Sequence, residues 1–211
     1  CSLLALTTGC CENEVAQLDT EDVFTVDGIP CIQFIKLSFT NTESKKKLKN
    51  DHRERTVPIP DIILKLKFLE YVEKRKKQNK DKLFDLNYIK NHGYGDAIGK
   101  DFKRYTKSIG VYKERIKVFH SFRHTFNLHA KNQHIKRVIS QSICGWSEDD
   151  DSSYNHYGHE DDVPLIDKQD AINKINCSFD FLHLERLLDE DRNPKPLVVK
   201  RRKSILNNKK K

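Results

Sequence analysis

The chain has 211 residues, of which 36% are hydrophobic and 33% charged, and its formal net charge is +8. It contains neither a long apolar run nor an apolar N-terminal segment, which argues against a membrane span and against secretion. The six cysteines have no Cys-x-x-Cys spacing, so we expect a reducing cytosol and no structural zinc. Because the chain starts at Cys1 and contains no Met, we expect it to be part of a longer protein.

The charge is unevenly distributed along the chain. Residues 43–117 carry +11 and residues 192–211 carry +9, whereas residues 1–42 carry −5 and residues 143–191 carry −11. Neutralisation of phosphates by clustered cations supplies most of the affinity in nucleic-acid binding. The middle of the chain is therefore the predicted DNA-binding surface, and solvated helix faces are the alternative interpretation of its lysines.

Two short helices are predicted at the start of the chain. Residues 2–8 are apolar and compatible with a helix, which Gly9 ends because glycine tolerates positive φ. Residues 12–18 predict a second helix that turns Val15 and Leu18 inward.

A small antiparallel sheet is predicted next. Residues 22–39 alternate like two strands joined by a turn at Asp27-Gly28, and residues 55–59 read as the returning edge strand. The polar residues 39–50 between them predict a long hairpin, whose tip is suited to entering a DNA groove. The lysines expected at this tip are Lys45, Lys46, Lys47 and Lys49.

Two longer helices are predicted over residues 61–78, with Asp61 as the cap, and over residues 93–109. The core-facing positions are Ile62, Ile63, Leu66, Leu69 and Tyr71 or Val72 in the first helix, and Ile98, Phe102, Tyr105 and Ile109 in the second. The opposite side of the second helix carries the cations Lys100, Lys103, Arg104 and Lys107.

Helices are also predicted over residues 119–131, 134–142 and 163–175. The predicted fold class is therefore mixed α+β, mainly α-helical with a small three-stranded antiparallel sheet. Residues 1–176 are expected to form one domain. Residues 177–211 would form a C-terminal arm and a basic tail that is disordered until it binds a partner.

The helix predicted over residues 119–131 carries the motif His120-Ser121-Phe122-Arg123-His124. Positions 120 and 123 lie on one face of a helix, so an imidazole and a guanidinium can grip the same phosphate. His120 and His124 could equally be a metal pair, but the metalloprotease motif requires Glu where this chain has Ser121.

Other short segments precede and follow this motif along the chain. Downstream come Gly145-Trp146, here called the Gly-Trp box, and Tyr157-Gly158. Upstream come residues 3–14, here called the opening box, which include Thr8-Gly9, and the lysine-rich hairpin ending at Pro58. In this order, the motif and these four boxes around it resemble the catalytic domain of the tyrosine recombinases, or phage integrases, over residues 2–176. The resemblance also implies a helical DNA-clamping domain upstream of Cys1.

The resemblance implies a nucleophile and the groups that assist it. Tyr157, with Tyr154 as the alternative, would attack a phosphodiester and form a covalent phosphotyrosine without ATP or a metal. Arg123 and His120 would bind the phosphate, and Trp146 would donate its indole N–H. Packing in the core is the alternative role of Trp146. The general acid would be Lys49, with Lys47 as the alternative.

One position departs from the family pattern. Two residues after Gly9, where the family carries its first phosphate-binding arginine, this chain has Cys11. A neutral thiol cannot make two charge-assisted hydrogen bonds. The chain is therefore either an inactive variant or one in which a residue from elsewhere fills the gap. Glu14 resembles a family position that supports the site, and a surface helix acid is the alternative.

The expected function is site-specific recombination of DNA by a phage or genomic-island integrase in the bacterial cytoplasm. The resemblance implies double-stranded attachment sites as partners, a tetramer on paired sites, accessory host DNA-bending proteins, and no membrane. The alternatives are a non-catalytic DNA-binding remnant, favoured by Cys11, and an enzyme like type IB topoisomerase.

Overall fold

The computed structural model describes residues 1–37, 46–48, 53–145, 163–177, 179 and 181. In this part of the chain, α-helices surround a three-stranded antiparallel sheet, so the predicted fold class is confirmed. The elements in chain order are α1 (Ser2–Thr8), α2 (Glu12–Ala16), a 3₁₀ turn (Thr20–Asp22), β1 (Val23–Val26), β2 (Ile29–Phe34), β3 (Arg55–Pro58), α3 (Asp61–Lys65), α4 (Phe68–Lys77), α5 (Gly95–Ser108), α6 (Ser121–Asn132), α7 (Arg137–Cys144) and α8 (Leu165–Asn176).

The sheet has the strand order β1-β2-β3, and both pairs are antiparallel. Val26 pairs with Ile29 across the predicted turn. Asp27 and Gly28 both have positive φ, 49° and 80°, as a tight two-residue hairpin requires. Local sequence was therefore sufficient to locate this hairpin.

The core lies between the sheet and the helices that cover it. Helix α1 packs on α6 and α2 on α5, while α8 contacts both α7 and β3. Val15 and Leu18 are buried as predicted, and they join Ile32, Val57 and Phe126 in one apolar cluster. None of the described helices is long and apolar enough to cross a membrane.

The single helix predicted over residues 61–78 is wrong in one respect, because the structure breaks it in two. Lys67, between α3 and α4, has φ 58°, which a continuing helix does not allow. The break rotates α4, so that Val72 is buried while Leu69 and Tyr71 are each 38% exposed. The residue preceding α3 is Pro60, and Asp61, the predicted cap, is its first helical residue.

Helix α5 also differs from the prediction in how far its apolar face is covered. Ile98 is buried and Phe102 packs edge-on against Phe119. Tyr105 and Ile109, predicted to face the core, are 62% and 51% exposed. The buried stripe continues from Ile98 and Phe102 to Thr106, which is 4% exposed, so it passes beside Tyr105 and Ile109 rather than through them.

Candidate active site

The opening box is joined to α6 and α7 at Gly9. This glycine ends α1 with φ 66°. A Cβ atom at this position would lie 2.7 Å from Cys144 Sγ and 2.8 Å from Phe126 Cδ1. Glycine is therefore required here both for its backbone conformation and for the close approach of the two helices.

Arg123 connects three of the boxes. It lies on α6, is 3% exposed, and donates from Nη1 to the carbonyl oxygens of Gly9, at 2.9 Å, and of Cys144, at 2.6 Å. Gly9 belongs to the opening box, and Cys144 directly precedes Gly145 and Trp146. The guanidinium therefore fixes the opening box and the start of the Gly-Trp box relative to α6.

A second buried arginine performs a similar function from the sheet. Arg55, the first residue of β3, places Nη2 3.1 Å from Glu14 Oε2 and donates from Nε to the Ile143 carbonyl at 2.7 Å. Glu14 is 3% exposed and also accepts from the Cys11 N–H at 2.8 Å. It therefore supports the site from within, and the alternative of a surface acid is wrong.

Gly145 gives Arg55 the space that it occupies. Its φ is 63°, and a Cβ atom there would lie 2.7 Å from Arg55 Nη1. The glycine of the Gly-Trp box is thus constrained by the same guanidinium that pairs with Glu14.

The buried groups shift one another's ionisation. Burial alone would raise the pKa of Glu14, but the charge and hydrogen bonds of Arg55 bring it below its ordinary value. Burial raises the pKa of Cys10 to about 12 and that of Cys144 to about 11. Both thiols therefore stay protonated near neutral pH, and the negative charge that supports the site is carried by Glu14.

Arg53, which belongs to none of the predicted site residues, reaches the opening box from the end of the hairpin. Its Nη1 lies 3.2 Å from Cys11 Sγ and 3.4 Å from Glu14 Oε1. Its carbonyl accepts from Arg55 Nη1 at 2.8 Å. Arg53 precedes β3, which begins at Arg55, so strand alternation could not have selected it, and the sequence offered only a further cation after the lysines of the hairpin.

His120 precedes the first helical residue of α6 and is exposed. Partial burial of its ring lowers the pKa, and His124, Arg123 and Arg53 lower it further. The ring meets that of His124 edge-on with centroids 4.9 Å apart. His120 is therefore a neutral imidazole at pH 7 and is close enough to both arginines to respond to their charge.

The hairpin lysines do not all occupy the predicted position. Lys46 was expected at an exposed tip, but it is only 6% exposed, with Nζ 2.6 Å from Asp22 and 2.9 Å from Asp19. Two carboxylates compensate its buried charge, so Lys46 is withdrawn from the predicted DNA-binding set. Lys47 is exposed, and its backbone is anchored by Asn13 of α2 and by Gln17, which directly follows that helix.

The cations predicted on α5 do lie on one exposed surface. Lys100 pairs with Asp96 and Arg104 with Asp101, each within a helical turn and with mostly exposed cationic side chains. Lys103 and Lys107 stand over the ring of Tyr112. Exposed pairs of this kind contribute little stability, so their charges stay available to a polyanion.

Four predicted site residues lie outside the residues that the structure describes. They are Lys45, Lys49, Trp146 and Tyr157, together with the alternative nucleophile Tyr154.

Comparison with known proteins assigns the chain to a class. Residues 2–163 match the phage integrase family, and the chain belongs to that family, as the four boxes predicted. Among solved structures it is similar to the XerH site-specific recombinase bound to its difH substrate in a pre-cleavage complex, with a TM-score of 0.44 and 18% identity. The similarity covers 70% of this chain and 38% of that one. No curated protein matches the sequence.

Proposed function

We propose that this chain is the catalytic domain of a site-specific DNA recombinase, which cleaves and rejoins DNA through a 3′-phosphotyrosine. The observation that carries the proposal is the buried contact of Arg123 Nη1 with the Gly9 and Cys144 carbonyls. Packing in a core would not require a charged side chain on this helix. A single buried guanidinium that bonds to both flanking boxes is instead what a site assembled from these boxes requires.

The proposed chemistry has three requirements. The negative charge of the phosphodiester must be neutralised, a nucleophile must attack phosphorus, and the leaving 5′ oxygen must be protonated. Tyr157 is the proposed nucleophile, and Lys49, or Lys47, the proton donor. Arg123 and Trp146 would stabilise the phosphate. The new tyrosyl ester conserves the energy of the broken bond, so a second DNA end can reverse the step.

His120 has the properties needed to assist this exchange. Its lowered pKa leaves the ring neutral near pH 7, so it can accept a proton when the tyrosine attacks and return it when the ester is resolved. The arginines that lower this pKa are ones that we expect near the phosphate, and the negative charge of a bound phosphate would raise it again.

The exposed cations of α5 support binding to double-stranded DNA. Lys100, Lys103, Arg104 and Lys107 form a surface separate from the buried Arg123 and Arg55 pairs. We propose that they contact the phosphates that flank the cleaved bond. Recombination joins two sites, so we also propose assembly of several copies of this chain on paired DNA, with host DNA-bending proteins as further partners.

The test uses a pool of DNA duplexes with randomised arms. Each duplex is nicked beside the scissile bond, so that cleavage releases the leaving fragment and traps the protein on the DNA. A protein–DNA adduct on a denaturing gel is the expected result, and Tyr157→Phe should abolish it while Tyr154→Phe should not. An adduct that survives Tyr157→Phe contradicts the assignment of the nucleophile.

The same experiment separates the alternatives. DNA that is retarded but never cleaved would support a non-catalytic remnant, which Cys11 makes the second candidate. Relaxation of a supercoiled plasmid without joining of two sites would instead support a topoisomerase activity.

A further inference from the structure

The opening box presents a neutral side chain where a phosphate would need a cation. Cys11 is the N-cap residue of α2, and its N–H donates to Glu14 Oε2 at 2.8 Å. The thiol offers no charge and one weak donor. A site that binds a dianionic transition state with one fewer cation should lose about a hundredfold to a thousandfold in rate.

A positive charge does lie beside Cys11, but it belongs to a residue that is distant in sequence. Arg53 Nη1 lies 3.2 Å from Cys11 Sγ and 3.4 Å from Glu14 Oε1. Its side chain is 15% exposed, whereas that of Arg55 is 4% exposed. The Arg53 guanidinium therefore covers the thiol and reaches the surface of the site.

The surroundings of Arg53 hold it in this position. Its carbonyl accepts from Arg55 Nη1 at 2.8 Å, and its Nη1 approaches Glu14, which Arg55 in turn orients. Residues fixed at both backbone and side chain lose little entropy when a ligand binds. The geometry is that of a preorganised anion-binding group.

Arg55 cannot perform this role. Its Nε donates to Ile143, its Nη2 to Glu14, and its Nη1 to the Arg53 carbonyl. Moving Arg55 toward a ligand would break these bonds and leave Glu14 buried with less compensation.

We propose that Arg53 supplies the phosphate-binding guanidinium that the opening box lacks, with Glu14 and Arg55 as its positioning residues. The inference rests on the proposed function, because the ligand is the scissile phosphate of double-stranded DNA. It identifies Arg53 as the residue from elsewhere that fills the gap at Cys11. Since Arg53 also lies near enough to His120 to influence its ionisation, one cation would serve both the phosphate and the imidazole.

The decisive comparison is between two arginine positions. Arg53→Ala should lower the rate of adduct formation about a hundredfold or more, with little change in DNA affinity, because affinity is spread over many cations. Arg53→Lys should recover only part of the rate, since a lysine lacks the planar fork. Cys11→Arg should restore the Arg53→Ala protein far more than it improves the wild-type chain, because both guanidinium groups would occupy one site.

A chemical substitution in the DNA tests the charge directly. A methylphosphonate at the scissile position replaces one charged oxygen by a methyl group, so that one cation is no longer needed. The defect of Arg53→Ala should then shrink severalfold or more relative to ordinary DNA. A residue that only maintained the fold would show the same defect on both substrates.

Arg75→Ala is the matched control. Arg75 also pairs with a carboxylate, that of Asp85 at 2.7 Å, but it lies outside the boxes. Its loss should leave cleavage by the folded protein unchanged. If wild-type protein forms adducts and Arg53→Ala forms them equally fast, Arg53 is not the missing cation and the proposed function stands. If the wild-type chain binds both substrates and forms no adduct on either, the proposed function itself is contradicted.

Discussion

The Arg55 guanidinium and the Glu14 carboxylate form a buried ion pair, 3.1 Å apart, with side chains 4% and 3% exposed. Arg55 comes from β3 of the sheet and Glu14 from α2, so the pair joins the part of the chain that follows the hairpin to the opening box. Through the Ile143 carbonyl the same arginine also reaches α7. The site is thus held together by a charge pair at its centre.

Replacing Glu14 by Gln should destabilise the fold by about 3–5 kcal/mol, because it leaves a buried guanidinium without its counter-charge. The pKa of Glu14 is lowered from its ordinary 4.5. Its contribution is therefore fully present above about pH 4.5 and is lost as the pH falls through the lower, folded-state pKa. Urea unfolding of both proteins between pH 3 and 7 should show stabilities that converge in acid. Asp85→Asn alters a carboxylate that is 71% exposed, so it should cost much less, and a similar loss in the two variants would contradict this account.

Gly145→Ala should destabilise the protein by about 1–3 kcal/mol more than Gly110→Ala. Both glycines have positive φ, 63° and 76°, so the backbone strain of the alanine is shared. A Cβ at Gly145 would lie 2.7 Å from Arg55 Nη1, whereas one at Gly110 would meet nothing within 4 Å. Thermal or urea unfolding measures the difference. Equal losses of stability in the two variants would show that the Arg55 side chain moves away from the new Cβ without a loss of free energy.

The His120 ring should titrate below its ordinary pKa of 6.5, because its partial burial and the nearby cations disfavour the protonated form. Arg53→Ala removes one of those cations and should move the pKa upward, toward 6.5. NMR titration of the imidazole, assigned with His120→Gln, measures the shift, and Arg75→Ala should leave it unaltered. A pKa that stays constant or falls in Arg53→Ala would place Arg53 too far from His120 for the proposed arrangement.

Replacing Lys103 and Lys107 by Gln should reduce the slope of log K against log salt for duplex DNA by about 2, because each phosphate contact contributes about 0.9. Both lysines lie on the exposed side of α5, with their ammonium groups over the ring of Tyr112, which follows the helix. Lys46→Gln is the informative control, since Lys46 is buried between Asp19 and Asp22. It should lower stability without changing the slope. A slope altered by Lys46→Gln alone would return that residue to the DNA-binding surface.

Local signals predicted those parts of the fold that short segments decide. The turn at Asp27-Gly28 needs only two residues that tolerate positive φ, and alternation on either side defines its strands. The helix that carries His120 and Arg123 follows from helical spacing, and the order of the boxes was enough for the family. The turn and the helix depend on contacts between near neighbours along the chain, and the family is recognised from residue types alone.

The tertiary structure decided which charges are buried and which are exposed. Lys46 and Lys47 are adjacent in sequence, yet one lies between two carboxylates and the other faces solvent. Nothing in a run of lysines distinguishes them, because the partners of Lys46 come from a segment more than twenty residues away. The position of Arg53 beside Cys11 has the same origin. Arg53 precedes β3, which pairs with β2 and bonds to α7 through Arg55. These long-range contacts bring Arg53 within hydrogen-bonding distance of Cys11. The sequence alone identified Cys11 as the position that lacks the expected cation, and only the folded chain could bring Arg53 next to it.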